Sequence, residues 1–363
     1  MASYRTLRDL DWLLLILALA ICAVGILQIY SATRDTRWVN AWWKQVLFVA
    51  IGLLLMWVIS NIDYHTLLGQ VPLFYVVTLV LLATVLVFGA RVFGSRRWIP
   101  LPFGFHFQVS EFAKVVIILL VARYLTNLKR DYLEGRELLK LGGLVVIPMV
   151  LVFRQPDLGT ALTYLPVLGV GIFLAGLRLR HVVVLALVSV VAPFLVWHFM
   201  LDYQRERLVT FFDPERDPRG YGYQLIQSQI AVGSGEMWGR GVTQGSQTQL
   251  RFLPVPHTDF VFATFGEEQG FVGVVLVLGL YFLLLLQVVQ NAQTAPDRGG
   301  MYICMGVASL LLFHLLVNVG MVVGRMPITG IPLPLMSAGG SSTLSMFLML
   351  GLVNNVRLRR FVN

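Results

Sequence analysis

Long apolar segments recur along the whole chain, with short polar stretches between them. As helices, ten of these segments are long enough to cross about 30 Å of hydrocarbon. They lie at 11–30, 43–60, 72–90, 109–127, 141–154, 160–177, 182–201, 267–289, 301–323 and 335–354. Lipid offers no partner to unpaired backbone groups, so spanning segments of this length are helical. The pattern predicts an all-α integral membrane protein with ten transmembrane helices.

Two of these segments depart from a regular span. The fifth is short and is bounded by Pro148 and Pro156, which predicts a broken or tilted helix. The tenth is interrupted by two glycines and two serines at 339–342. The serines that follow the two glycines predict backbone that opens toward a cavity.

Lysine and arginine are more frequent in one set of short loops than in the other, which favours both termini on the cytoplasmic side. The long polar segment 202–266 is then an extracytoplasmic loop, for which we predict short interfacial helices. Polar segments are too short for a separate soluble domain, so residues 1–363 are predicted to form one transmembrane domain.

Composition agrees with a membrane protein and narrows its chemistry. The chain is 57% hydrophobic and 13% charged, whereas soluble domains carry about 25% charged residues. The net charge of +9 is interpreted as basic loops at anionic headgroups and not as a nucleic-acid surface. No GxxxxGK(S/T) loop is present, so no nucleotide is expected. No lysine has a serine three residues before it, so the SxxK acylation motif is absent.

The strongest candidate for catalysis is Asp259, which follows His257 and Thr258 and precedes the apolar residues 260–262. A free aspartate has a pKa of about 3.9 and is a weak base. Apolar neighbours raise that pKa by desolvating the charge, so Asp259 is a candidate proton acceptor at a membrane surface. The alternative is that Asp259 only caps the following helix.

Glu111 and Lys114 stand three residues apart at the start of the fourth span and share a helix face. They could form a structural ion pair. Ionisable residues within the membrane are functional candidates by default, however, so we predict that Lys114 binds phosphate or sugar and that Glu111 orients it.

The remaining candidates are polar residues of the predicted external stretches. Arginine grips phosphate oxygens well, which makes the arginines phosphate or headgroup ligands. Trp98 suits an interfacial anchor or a sugar platform, and Asp157 suits a helix cap or a site residue. Glutamines and serines would hydrogen-bond a sugar or face solvent. The candidates are Arg96, Arg97, Trp98, Asp157, Arg205, Arg207, Gln224, Gln227, Ser228, His257, Thr258, Ser341 and Ser342.

Six of the polar stretches resemble motifs of the SEDS family (shape, elongation, division and sporulation) of bacterial peptidoglycan glycosyltransferases, and most closely its RodA-type, rod-elongation branch. The matching stretches are GSRRWI at 94–99, QVSEFAK at 108–114, QPDLGT at 155–160, GYQLIQSQIAVGSG at 222–235, HTDFVFATFGEE at 257–268 and GIPLPLMSAGGSS at 330–342. The resemblance runs from about Asp11 to Asn355. It implies ten transmembrane helices in the bacterial inner membrane, with the active site on the extracytoplasmic side.

The same resemblance implies that the chain polymerises lipid II, an undecaprenyl-pyrophosphate-linked disaccharide-peptide, during cell elongation. The family's essential aspartate falls on Asp259, and its functional glutamate and lysine fall on Glu111 and Lys114. A divalent cation, Mg²⁺ or Mn²⁺, could bridge Asp259 and the pyrophosphate, although the sequence shows no ligand cage. The implied partners are other membrane proteins of the elongation complex and a class B penicillin-binding transpeptidase, which would pack its transmembrane helix on this chain. Two alternatives remain: a flippase for lipid II, and a scaffold without activity that recruits the transpeptidase.

Overall fold

The computed structural model describes residues 10–92, 95–101, 105–128, 132–218 and 220–360, with only the backbone of residues 91, 92, 95, 96, 101 and 105. Helices make up most of this part of the chain. The α-helices are α1 Trp12–Thr33, α2 Ala41–Asn61, α3 Tyr64–Phe88, α4 Val109–Thr126, α5 Gly135–Arg154, α6 Leu158–Leu162, α7 Tyr164–Leu174, α8 Leu179–Phe199, α9 Asp202–Phe212, α10 Tyr221–Ser234, α11 Ser246–Gln249, α12 Val261–Gln293, α13 Arg298–Val322 and α14 Gly340–Arg359. A 3-10 turn covers Pro214–Arg216.

Among the described residues, six helices are long and apolar enough to cross a membrane: α1, α2, α3, α8, α12 and α13. The other predicted spans coincide with α4, α5, the α6–α7 pair and α14, which are shorter or carry more polar residues. The chain is therefore a helical, multi-pass membrane protein. α8 lies at the periphery of the fold, and His181 is its one buried residue in the described chain.

Several helix bounds differ from the hydropathy pattern. α5 is one helix with Pro148 inside it, and it begins six residues before the apolar segment at 141–154, because its first turns are amphipathic. The sixth segment is two helices, α6 and α7, that meet at Thr163. α14 starts at Gly340, so the glycine and serine run opens this helix and does not interrupt it.

A small antiparallel sheet, which the hydropathy pattern did not predict, connects α3 to α4. Its strands are β1 Ala90–Val92, β2 Ser95–Leu101 and β3 Phe105–Phe107, in the order β1-β2-β3. Ile99 pairs with Phe107 in this sheet. The sheet carries Arg97 to the turn between α5 and α6, where the guanidinium donates to the carbonyls of Gln155 and Pro156.

Buried polar groups join the helices at the end of the bundle that carries the start of α1. The carboxylate of Asp11 accepts from Gln287 at 2.8 Å and from Asn291 at 2.6 Å, and Arg357 lies 3.0 Å away. A buried carboxylate without such partners would cost several kcal/mol. Asp11 therefore ties α1 to α12 and α14.

At the opposite end of the bundle, the first turns of α12 bind the second half of the polar segment 202–266. Glu267 is buried and accepts from the backbone N–H groups of Gln247 and Thr248, at 2.7 and 3.1 Å. Glu268 accepts from Ser31 at 2.5 Å and Gln28 at 3.0 Å, both on α1. These two carboxylates anchor residues 240–250 between α1 and α12.

The segment between α13 and α14, which we call the 328–338 loop, packs directly on α1. A Cβ placed on Gly25 would lie 2.6 Å from both the Cα and the carbonyl oxygen of Met336. Backbone cannot yield as a flexible side chain does, so α1 needs glycine at this point.

We expect Gly25→Ala to lower stability by about 2 kcal/mol through overpacking. Gly279→Ala is the matched control, because a Cβ on Gly279 meets nothing within 4 Å. Thermal unfolding of the purified protein in detergent measures both variants. Equal melting temperatures for the two would show that α1 and the 328–338 loop do not pack as described.

Candidate functional site

The turn that precedes α12 is fixed to the 328–338 loop by backbone hydrogen bonds. The amide of Ala338 donates to the carbonyl of His257 at 2.9 Å, and the hydroxyl of Ser337 donates to the carbonyl of Thr258 at 2.7 Å. The side-chain amide of Asn318, on α13, donates to the carbonyl of Asp259 at 3.0 Å. These bonds fix the backbone that carries the Asp259 carboxylate.

The Asp259 carboxylate and the Arg207 guanidinium both lie against Gly330. A Cβ placed on Gly330 would be 3.6 Å from Oδ2 of Asp259 and 3.8 Å from Nη1 of Arg207. Gly330 has φ of 71°, a left-handed conformation that glycine adopts without strain. A Cβ here would be in ordinary van der Waals contact with both charged groups, so the requirement for glycine comes from the backbone conformation.

Arg207 is held from several sides. Its Nη1 donates to the carbonyl of Ile328 at 3.4 Å, and its guanidinium carbon lies 4.8 Å from the ring centre of Tyr221 and 5.7 Å from that of Tyr203. Its Nε is buried and has no hydrogen-bond partner among the described residues. Two aromatic rings and a backbone carbonyl thus position Arg207, and its Nε N–H remains available to donate to a ligand.

A second arginine and a second aspartate complete the charged cluster. Nη1 of Arg97 lies 3.6 Å from Oδ1 of Asp157, and Asp157 also accepts from Nε2 of Gln108 at 2.8 Å. The backbone N–H of Thr160 donates to Asp157 as well, so this carboxylate caps α6. Asp157 therefore serves both as a helix cap and as the partner of Arg97.

Electrostatics set the state of Asp259. Desolvation raises the pKa of its carboxyl above the ordinary value, and the charge of Asp157 raises it further. The positive charges of Arg207 and Arg97 oppose this increase. Burial lowers the pKa of His257 to about 4, so that imidazole is neutral at neutral pH. Its ring centre lies 5.8 Å from that of Trp38, with the two rings tilted by 40°.

A cavity of about 30 Å³ lies between the arginines and the 328–338 loop. Arg97, Asp157, Tyr203, Arg207 and Thr329 are among the residues that line it. This volume holds about one water molecule and is too small for a sugar. The cavity beside the arginines therefore has no room for a substrate sugar in this conformation.

The ion pair predicted on α4 is buried close to the same loop. Nζ of Lys114 lies 2.7 Å from Oε2 of Glu111 and 3.4 Å from Nε2 of His314. Nδ1 of His314 lies 3.1 Å from the carbonyl oxygen of Pro332, and Ser345 donates to Glu111 at 3.2 Å. The pair thus reaches the 328–338 loop through His314.

Gln108 joins the start of α4 to the other stretches. Besides its bond to Asp157, its backbone N–H donates to Oγ of Ser341 at 3.0 Å. Together with the Arg97, Arg207 and Asp259 contacts, this bond connects polar stretches that are far apart in the sequence. The predicted convergence of these stretches on one face of the helix bundle is confirmed.

Other predicted site residues lie elsewhere. Arg205 donates to the carbonyls of Trp197 and His198 at 3.1 Å and so covers the end of α8. Ser228 is fully buried and donates to the carbonyl of Val322 at 3.0 Å. These two contacts hold helices together. A substrate role for either residue stays a prediction.

The last candidates make no contact with the charged groups among the described residues. Trp98 meets His106 edge to face at 6.1 Å, and the hydroxyl of Thr258 bonds the carbonyl of Val255 at 3.4 Å. Gln224 and Gln227 are half-buried on α10, and Ser342 is half-buried in the first turn of α14. The side chain of Arg96 lies outside the described residues.

Four residues of the site were not among the sequence candidates: Tyr203, His314, Asn318 and Gly330. His314 and Asn318 stand four residues apart within an apolar run, so they share one face of α13. That spacing was the available signal. Gly330 begins the motif at 330–342, but nothing local indicated its charged neighbours, because they come from other parts of the chain.

The described residues contain no cluster of three or more His, Cys, Asp or Glu side chains suited to a metal ion. Asp157 is already bonded by Arg97, Gln108 and Thr160. Asp259 is the one carboxylate of this cluster whose oxygens carry no recorded hydrogen bond from described residues. A cation here would need oxygens from a substrate.

The fold and site define a multi-pass membrane protein with a polar, charged cluster at the ends of its helices. Residues 10–360 match the family model FTSW_RODA_SPOVE, described as "Cell cycle protein". The chain belongs to this family, the SEDS proteins, and is therefore a glycosyltransferase by family.

Relatives and solved structures cover nearly the whole chain. "Peptidoglycan glycosyltransferase MrdB" of Escherichia coli (strain K12) is 39% identical over 97% of this chain and 94% of its own length. "Peptidoglycan glycosyltransferase RodA" of Treponema pallidum (strain Nichols) is 34% identical over 98% of this chain and 99% of its own length. A chain from "Structural coordination of polymerization and crosslinking by a peptidoglycan synthase complex" superposes with a TM-score of 0.83 at 34% identity, over 98% of this chain and 99% of that one. The crystal structure of the rod shape determining protein RodA of Thermus thermophilus superposes with a TM-score of 0.73 at 31% identity, over 97% of this chain and 98% of that one.

We expect Gly330→Ala to lower glycosyltransferase activity, because alanine is strained at φ of 71° and relief of that strain would shift the 328–338 loop beside the Asp259 and Arg207 side chains. Gly241→Ala is the matched control: Gly241 also has positive φ, at 94°, and its Cβ would contact the side chain of Gln244 at 3.4 Å and not the charged pair. Both changes should cost about 1 kcal/mol of stability. Equal activity of the two variants at equal protein level would contradict the role given to Gly330.

Proposed function

We propose that the protein polymerises lipid II into glycan strands during cell elongation, with Asp259 as the base that activates the acceptor sugar. The observation that carries this proposal is the position of the Asp259 carboxylate beside Arg207 and Gly330, on a backbone whose carbonyl accepts from the side chain of Asn318. The printed names of the relatives, peptidoglycan glycosyltransferases, supply the substrate class.

The proposed topology has ten membrane-crossing segments with both termini in the cytoplasm, in the bacterial inner membrane. The excess of lysine and arginine in one set of short loops supports this orientation. Asp259 and the segment 202–266 are then on the extracytoplasmic side, where the head of a lipid-linked sugar reaches the site and its tail stays in the bilayer.

The proposed reaction is a displacement at the anomeric carbon of the donor. The acceptor hydroxyl forms a new bond to that carbon, and its proton passes to the Asp259 carboxylate. The bond from the anomeric carbon to the phosphate oxygen breaks, and its electron pair leaves with undecaprenyl pyrophosphate. Desolvation makes Asp259 a better proton acceptor than a free carboxylate, which general base catalysis requires.

Arg207 and Arg97 are the proposed partners of the departing pyrophosphate. Both lie at the closed cavity, and their charge lowers the pKa of Asp259, so they act at the same location. Positive groups fixed in advance stabilise charge as it develops, without reorganisation. The pair of Asp157 and Arg97 keeps one arginine in place before substrate arrives.

Lys114 is buried, at 1% exposure, and is already bonded to Glu111 and His314. Direct binding of phosphate or sugar by Lys114 stays a prediction. The geometry favours an indirect role, in which the ion pair fixes the 328–338 loop through the bond of His314 to Pro332. Glu111 orients Lys114 in either case.

A divalent cation, Mg²⁺ or Mn²⁺, also stays a prediction. Asp259 would be its protein ligand, and pyrophosphate oxygens would supply others, as hard cations prefer. When bound, such an ion would neutralise charge on the leaving group. No nucleotide is part of the proposal.

A transpeptidase is the proposed partner, because the chain lacks the SxxK motif needed to crosslink peptides. The structural relative from a complex that coordinates polymerization and crosslinking supports this pairing. A class B penicillin-binding protein would bring the acylation chemistry and would pack its transmembrane helix on this chain. Other elongation-complex membrane proteins are proposed as further partners.

The test of the proposal is polymerisation of lipid II by the purified protein. We expect Asp259→Asn to lower the rate by about a hundredfold or more, the usual contribution of a general base. Asp202→Asn is the control, since that carboxylate is 99% exposed at the start of α9. Unchanged thermal unfolding of both variants would show that the loss is chemical.

Two other outcomes would replace the proposal. Lipid II translocation in liposomes without any polymer would identify a flippase. Full growth of cells that carry Asp259→Asn, with the protein made at normal level, would identify a scaffold without catalytic activity.

The pH dependence tests the electrostatics. Activity should fall as pH decreases through the raised pKa of Asp259, because a protonated carboxyl accepts no proton. Removing a positive charge raises that pKa further, so Arg207→Gln should move the acid limb of the pH profile to higher pH, whereas Arg207→Lys should keep it. If the acid limb of the pH–activity profile does not shift in Arg207→Gln, the assignment of Asp259 as the base is contradicted.

A further inference from the structure

A second cavity lies at the opposite end of the bundle, between α3, α4 and α5. Its volume is about 470 Å³, which is within the range of ligand pockets, about 300–1,000 Å³. It opens near the end of α4, the end away from Glu111 and Lys114. In the orientation proposed above, this end faces the cytoplasmic leaflet.

The wall of this cavity is apolar along the helices. Pro72 and Val76 on α3, Leu120 on α4 and Leu144 on α5 line it. Pro72 and Val76 are exposed, so the slot is open to its surroundings along α3. An apolar slot that is exposed on the surface of a membrane protein contacts the acyl chains of lipids.

The rim of the cavity carries charge. Arg123, Glu137 and Lys140 line it together with Asn127. Nζ of Lys140 lies 3.5 Å from Oε1 of Glu137, and Tyr124 donates to the same carboxylate. Among the described residues no carboxylate pairs with Arg123, so the rim keeps an excess positive charge.

Pro72 explains why Arg123 is there. Proline has no N–H, so the carbonyl of Leu68, four residues earlier in α3, loses its helical donor. Nη1 of Arg123 donates instead to the carbonyls of Leu68 and Gly69, at 2.5 and 2.6 Å. The Nε and Nη2 N–H groups have no recorded acceptor in the described chain. These coplanar guanidinium N–H groups are well placed to donate two hydrogen bonds to phosphate oxygens.

We propose that this cavity binds an anionic phospholipid, with its phosphate at Arg123 and Lys140 and an acyl chain in the slot beside Pro72 and Val76. Basic pockets between transmembrane helices on the cytoplasmic side are typical sites for anionic headgroups. The site goes beyond the proposed function: only the choice of leaflet rests on the topology, and binding does not need catalysis.

Native mass spectrometry of the full-length protein in detergent tests the headgroup. We expect phosphatidylglycerol to bind about tenfold more tightly than phosphatidylcholine of the same chains, in line with charge-assisted hydrogen bonds. Arg123→Gln should remove this preference, and Arg34→Gln, an exposed arginine just after α1, should keep it. Arg123→Gln also loses the bonds to α3. Lys140→Gln, which is exposed, therefore serves as a second variant and should lower the preference about threefold.

The acyl slot is tested separately. Val76→Trp should fill the slot and release phosphatidylglycerol, whereas Val77→Trp, at the next position and not lining the cavity, should not. Inorganic phosphate at equal concentration should not displace the lipid. Equal binding of the two phospholipids, retention in Arg123→Gln and Lys140→Gln, or displacement by phosphate alone would each overturn the proposal. Loss of polymerising activity, by contrast, would leave it standing.

Discussion

The side chain of Asn318 holds together the two loops on which the site depends. It is fully buried, and its amide nitrogen donates to the carbonyl of Asp259 at 3.0 Å and to that of Ile331 at 2.8 Å. A buried carbonyl without a donor costs about 1–3 kcal/mol, so neither loop can separate from α13 without loss. One amide therefore fixes the distance between the catalytic candidate and the loop that carries Gly330.

Around this fixed backbone, charge is balanced within the cluster. Two carboxylates, Asp157 and Asp259, face two guanidinium groups, Arg97 and Arg207. Asp157 is saturated by Arg97, Gln108 and its own helix, whereas Asp259 has desolvation as the largest influence on its pKa. The same residue type thus has two environments at one site, and the proposed base is the carboxylate with fewer hydrogen-bond partners.

The sequence predicted the parts of this arrangement that depend on hydropathy and on local polarity. The spans and the converging polar stretches follow from those two signals, whereas the choice of Asp259 as a base over a helix cap came from the resemblance to the SEDS family. The strands of the small sheet are too short to leave a periodic pattern. Arg205 and Arg207 looked equivalent, yet residues two apart on a helix point to opposite sides. Arg207 accordingly meets Ile328 and Tyr221, and Arg205 meets the end of α8.

The closed cavity limits how the site can work. About 30 Å³ admits no sugar, so on the proposed function the 328–338 loop must move for substrate to enter. Its contacts differ in strength: Arg207 reaches Ile328 at 3.4 Å, whereas Asn318 bonds Ile331 at 2.8 Å. The longer bond belongs to the residue that would bind pyrophosphate, and a phosphate would compete for that guanidinium. Entry of substrate and release of the first part of the loop are therefore the same exchange of partners at Arg207, while Asn318 keeps Asp259 in place.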